Sequence, residues 1–138
     1  MSKSYAQVCP IARTLDLIGQ RWTLLILRDL FFGRSKFKEL MRSSPGMPTR
    51  ILSERLKMLE AAGIIERQIY SEHPIRAEYH LTAEGTSLAP VLSAISGWGI
   101  THRFDPGAQR AVRAKIDRHL RGGDKVPAAE RRRLTGIA

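Results

Sequence analysis

Apolar residues recur along most of the chain with a helical period, and one stretch has the character of paired strands. Over residues 9–20, Ile11, Leu15 and Ile18 fall at helical spacing, and Pro10 suits a first helical turn, where its missing N–H costs nothing. Residues 22–32, WTLLILRDLFF, are almost continuously apolar, which predicts a helix buried on most sides and ended by Gly33. Ser35 is placed to cap a short helix over 36–42 with Phe37, Leu40 and Met41 facing inward. Ser43-Ser44-Pro45-Gly46 is a turn by composition, and a further helix is expected over 48–62, stopped by Gly63. Two strand-like runs follow, 64–70 and 76–81, around the loop Ser71-Glu72-His73-Pro74-Ile75. Thr82 then caps a helix running to 102, with Glu84 favourably placed in its first turn. Gly85 stands where a full capping box would need Glu. Leu88, Leu92, Ile95, Trp98 and His102 share one face of that helix, and Asp105-Pro106-Gly107 breaks it. Residues 108–120 read as a basic amphipathic helix, and Gly122-Gly123 with Arg131-Arg132-Arg133 read as a loose end.

The predicted order is three helices, a turn, a fourth helix, a hairpin and a long helix. Two short helices joined by a tight turn and followed by a hairpin make a winged helix-turn-helix, a mainly α fold with a small β-hairpin wing. The helix over 48–62 carries the chemistry. Ile51, Leu52, Leu56, Met58, Leu59 and Ala62 fall in one wide arc, and Thr49, Arg50, Ser53, Glu54 and Lys57 fall opposite. A recognition helix needs this layout, because its first turns meet base edges in the major groove. Arg50 suits bidentate bonding to a guanine, Thr49 or Ser53 suits a base or phosphate, and Lys57 suits a phosphate. In isolation the same pattern describes an ordinary solvated helix face; the hairpin behind it favours DNA.

Charge strengthens that choice. The 138 residues hold 23 Lys and Arg against 13 Asp and Glu, a formal net charge of +10. Such a chain attracts polyanions, with nucleic acid ahead of an anionic membrane surface. Residues 105–138 hold nine basic and four acidic side chains, so a quarter of the chain carries half of the excess. Two further DNA contacts are candidates. One is the hairpin tip with His73 and Arg76, where a wing reaches a minor groove or backbone. The other is the segment Gly33-Arg34-Ser35-Lys36, which opens a helix whose free N–H groups suit a phosphate, with Lys38 nearby.

Other classes lose ground. No apolar run approaches the roughly 20 residues of a membrane span, and the first residues lack the apolar stretch of a signal peptide, so a cytoplasmic location without membrane attachment is expected. The single cysteine, Cys9, leaves no internal disulfide and no Cys-based zinc site. His73, His80, His102 and His119 lack metal-ligand spacing, no phosphate-cradling glycine motif occurs, and Ser93 and Ser96 lack an elbow sequence. Neither an enzyme nor a cofactor is expected.

The segments CPIARTLDLIGQRW, FKEL, ILSERLKMLEAAGIIER and EYHLTAEG, and the WG pair of the long helix, recur in one order. With these, residues 8–104 resemble the HxlR-type winged-helix regulators, relatives of the MarR group. The resemblance implies a dimeric transcription factor, a repressor by default, on a two-fold symmetric operator of double-stranded DNA. It implies that the first helix and the 82–102 helix build the dimer interface, to which the apolar stripe of Leu88, Leu92, Ile95 and Trp98 is suited. Residues 8–107 are taken as the DNA-binding domain and 108–138 as a basic extension on which the resemblance is silent. Cys9 stands just before Pro10, at a helix start whose partial positive charge favours a thiolate. Its position also matches the N-terminal cysteine of redox-sensing members, which makes an oxidant a candidate effector. A protein disulfide there would join two subunits; the alternative is a mixed disulfide or an alkylated thiol. A small-molecule effector is the other candidate, in a pocket lined by Trp22, Phe31, Phe32 and Trp98. The rival within the DNA-binding class is a sequence-independent coating protein, which the basic extension also suits.

Overall fold

The structure, a computed structural model, describes residues 4–121. The loose end holding Gly122-Gly123 and Arg131-Arg132-Arg133 lies outside the described residues. The elements are α1 (Pro10–Ile18), α2 (Thr23–Phe31), α3 (Phe37–Ser43), α4 (Thr49–Ala61), β1 (Ile65–Glu72), β2 (Ile75–Leu81), α5 (Ala83–Thr86), α6 (Ala89–Arg103) and α7 (Pro106–Arg121). This is the mainly helical arrangement with one antiparallel hairpin that the hydrophobic pattern predicts.

Helix α2 is the hub. Ile26, Leu27, Leu30 and Phe31 are buried on it, and they meet Leu40 of α3, Leu52, Leu56 and Leu59 of α4, Ile64, Ile65, and Ala89 and Leu92 at the start of α6. Removing a buried leucine such as Leu27 costs about 2–5 kcal/mol, because neighbours only partly close the cavity. The helix starts one residue later than its apolar run, since Trp22 takes a left-handed φ of 79° and cannot join it. Ala62, placed in the inward arc by sequence, lies past the end of α4 and is exposed; Gly63 follows with φ of +77°, a left-handed stop that glycine takes without strain.

The hairpin is longer and tighter than the sequence suggests. The expected five-residue loop shrinks to His73 and Pro74, because Glu72 pairs with Ile75 and Ser71 with Arg76. Ser71 Oγ donates to the Pro74 carbonyl at 3.0 Å, closing the turn, and a register shift between Ile69 and Ser71 absorbs the odd residue.

The helix expected over 82–102 is two helices. Pro90 has no N–H to give to Thr86, so the first turn ends and α6 starts afresh with Pro90 in its first turn. The Thr82 cap is present, with Gly85 N donating to Thr82 Oγ1 at 3.1 Å. The small residue in that turn has a steric reason: a Cβ on Gly85 would stand 2.1 Å from the Ile64 carbonyl oxygen. Residues 106–121 form α7, as the amphipathic pattern predicts, and Ile116 packs on the core edge. Several large apolar side chains stay in solvent: Ile11 and Leu15 on α1, and Ile95 and Trp98 on α6.

Candidate nucleic-acid interface

Helix α4 buries Leu52, Leu56 and Leu59 and half-buries Ile51 and Met58. That fixes its rotation, and Thr49, Arg50, Glu54 and Lys57 are left exposed, with Ser53 half-buried beside them. Arg50 donates to Glu54 at 2.7 Å one turn on, and the two side chains are 73% and 48% exposed. An exposed pair of this kind contributes only a few tenths of a kcal/mol, so a guanine edge can displace Glu54 from it at little cost. Arg55 is different: its side chain is 15% exposed and its Nε donates to the Arg21 carbonyl at 3.2 Å, anchoring α4 to the segment between α1 and α2.

The second patch lies where α3 meets the hairpin. Tyr79 N donates to the Ser35 carbonyl at 2.8 Å, and Lys36 bridges to Glu78, so the residues before α3 form an added edge on β2. This brings together two patches that are far apart in sequence. Lys36, Lys38 and Arg42 from the α3 side and Tyr70, Ile75 and Arg76 from the hairpin border one groove of about 440 Å³. The Lys36 ammonium sits 5.3 Å from the Tyr70 ring centre, within cation–π range. His73 is exposed at the hairpin turn.

One expected role is corrected. Ser35 does not cap α3: its side chain makes no capping bond and the residue is 9% exposed, because the β-like pairing turns it into the protein. Lys36 takes the cap position, and its N–H donates to Glu39 Oε1 at 3.1 Å. The four aromatics do not line one cavity within the chain: Phe31 and Phe32 line a cavity whose lining does not include Trp22 or Trp98. Trp22 sits at the left-handed start of α2 under Arg21, and Trp98 lies on the exposed face of α6 against His102 and Arg103.

Sequence reasoning missed Arg42 and Tyr70 in the groove; Arg42 lies one helical turn beyond Lys38, which the α3 periodicity already implied. It also missed Asp29, which is 1% exposed and accepts at Oδ1 from Arg28, Arg34 and Ser43 at 2.7–3.1 Å. This knot ties α2 to the last residue of α3 and so holds the turn before α4. A single carboxylate inside WTLLILRDLFF was the signal, since a buried charge needs partners. Cys9 is a free, half-buried thiol at the cap position of α1, with Arg13 N donating to its carbonyl at 2.9 Å.

Known proteins resemble this chain over its central part. The HxlR-like helix-turn-helix family matches residues 17–105. The transcriptional regulator YvaP of Bacillus subtilis is 40% identical over 102 residues, 73% of this chain and 94% of its own. The regulator sll1512 of Synechocystis is 44% identical over 92 residues, 67% of this chain and 68% of its own. Among solved structures, the reduced form of the transcriptional regulator YodB from B. subtilis superposes with a TM-score of 0.59 at 35% identity, covering 72% of this chain and all of that one. The redox regulator HypR in its reduced form superposes with a TM-score of 0.65 at 35% identity, covering 69% of this chain and 97% of that one. With the exposed α4 and the hairpin in place, the chain belongs to the HxlR-like helix-turn-helix family of DNA-binding transcriptional regulators.

Proposed function

We propose that the protein is a repressor that binds a pseudo-palindromic operator as a homodimer. The exposed polar face of α4 carries this reading, because it presents Thr49, Arg50 and Ser53 together in the first turns of a rigid helix whose opposite face is packed on the core. Arg50 reads a guanine, Thr49 and Ser53 reach a base or the adjacent phosphate, and Lys57 meets phosphate. Lys36, Lys38 and Arg76 hold the backbone at the α3–hairpin groove, and His73 lies at the tip that reaches the neighbouring minor groove. Ser35 acts through its backbone, by tying α3 to the hairpin.

The dimer is supported by Ile11, Leu15, Ile95 and Trp98, which are 40–71% exposed in the single chain. A second copy covering α1 and α6 removes that surface from water. Two-fold symmetry then sets the α4 helices about 34 Å apart, one turn of DNA. The DNA-binding unit spans residues 8–107, and the basic segment from 108 adds phosphate contacts. Selection of bound sequences from a random DNA pool tests this: the reading expects an enriched pseudo-palindrome, and general retention without enrichment would favour a coating protein.

The same reading gives Cys9 a sensing role, supported by the likeness to YodB, which is also solved after diamide treatment, and to HypR. Two Cys9 thiols, one per protomer, lose two protons and two electrons to an oxidant such as diamide and join the subunits. Diamide should change operator affinity in the wild type and not in Cys9→Ser; equal responses remove Cys9 from the mechanism.

A further inference from the structure

A cavity of about 490 Å³ opens between α2, α6 and α7. Its apolar wall comes from Leu24, Leu25, Phe31, Phe32, Ile95 and Ile116. Its rim carries Arg28, Arg34, Lys115 and His119. The volume suits a molecule of two or three rings. The lining has no carboxylate; Asp29, outside it, accepts at Oδ1 from Arg28 and Arg34, each at a shortest distance of 3.0 Å. Two guanidiniums and an ammonium with no carboxylate among the lining residues make the rim cationic. A guanidinium has five N–H donors, and Asp29 takes only one bond from Arg34, through Nη1. The side chains of Arg28 and Arg34 are 35% and 30% exposed, so they can turn to a second anion.

The outer wall is α7, where Lys115, Ile116 and His119 close over α2 and His119 stacks on Phe32 at 5.4 Å between ring centres. All of that helix lies beyond the residues that the family matches. The inner end reaches Ser43, the last residue of α3, which lines the cavity and donates to Asp29 at 2.7 Å while accepting from Arg28 at 3.1 Å. An anion that competes for Arg28 or Arg34 therefore acts on the knot holding the turn before α4.

We propose that this cavity binds a small amphipathic organic anion, its rings against Phe31, Phe32 and Leu24 and its anionic group between Arg34 and Lys115, and that occupancy alters operator affinity through the Arg28–Asp29–Ser43 knot. The regulatory half rests on the DNA-binding reading; the binding half does not. The test is fluorescence titration with 8-anilinonaphthalene-1-sulfonate and with N-phenyl-1-naphthylamine, the same rings without the sulfonate. The sulfonate should bind once per chain, and Lys115→Glu should weaken it about tenfold or more while leaving the neutral compound within about twofold. Saturating sulfonate should shift operator affinity in the wild type and not in Lys115→Glu. Equal losses for both compounds, or none for either, overturn the site by making it a generic apolar surface. Sulfonate affinity that falls as protein concentration rises also overturns it, by giving the cavity to a second copy. Charge-selective binding in a protein without sequence-specific DNA binding overturns the regulatory half alone, whereas sequence-specific DNA binding without charge-selective sulfonate binding overturns only the site.

Discussion

In the proposed reading, Arg50 is the residue on which base recognition turns. Among the described residues its ion pair is the exposed one with Glu54, so Arg50→Ala should leave thermal stability nearly unchanged, within about 0.5 kcal/mol. It should cost about 1–3 kcal/mol of operator affinity, concentrated at one base position, as read by anisotropy on single-base operator variants. Gly85 is the opposite kind of residue. A methyl group there meets the Ile64 carbonyl oxygen at 2.1 Å, backbone against which nothing can rotate away. Gly85→Ala should lower unfolding free energy by about 1–3 kcal/mol in urea without moving any DNA-facing side chain. Sequence showed that position 85 departs from a capping box but not why, because the reason is a contact with a residue 21 positions earlier in the chain. Arg50 was legible because its face follows from the helical period alone; Ser35 was misassigned because its pairing partner, Tyr79, comes from a distant strand.

At the scale of elements, pattern carried most of the fold. The apolar run of α2, the amphipathic α4 and the amphipathic α7 appear where periodicity put them. The misses have local causes. Pro90 splits the long helix because a missing N–H outweighs a continuous apolar face. The hairpin outgrew its predicted strands because Ser71 and Glu72 pair with Arg76 and Ile75 at an exposed tip, where alternation gives no signal. The groove between α3 and the hairpin was not legible, since the Lys36–Glu78 bridge that forms it is a tertiary contact. That groove predicts a division of labour. Lys38→Ala and Arg76→Ala should each weaken binding to every DNA sequence alike. Each should reduce the slope of log affinity against log salt by about 0.9, as one phosphate contact is lost. A change in base preference instead would place these side chains at base edges.

For the whole molecule, two features govern behaviour: a net charge of +10 and uncovered apolar residues on α1 and α6. The apolar set predicts the assembly. Trp98 is 55% exposed on α6, and replacing it with Glu puts charge where a partner copy would sit. Light scattering should show a dimer for the wild type and a monomer for Trp98→Glu at micromolar concentration, with far-ultraviolet dichroism unchanged. A wild-type monomer would remove the two-fold operator from the account. The charge draws any DNA, so affinity by itself separates nothing. The deciding measurement is the ratio of specific to non-specific affinity, by competition between a selected duplex and scrambled DNA at near-physiological salt. The account predicts roughly 10³ or more, the range of sequence-reading proteins. A ratio within a few-fold of one would contradict it and leave α4 as a phosphate-binding face on a DNA-coating protein.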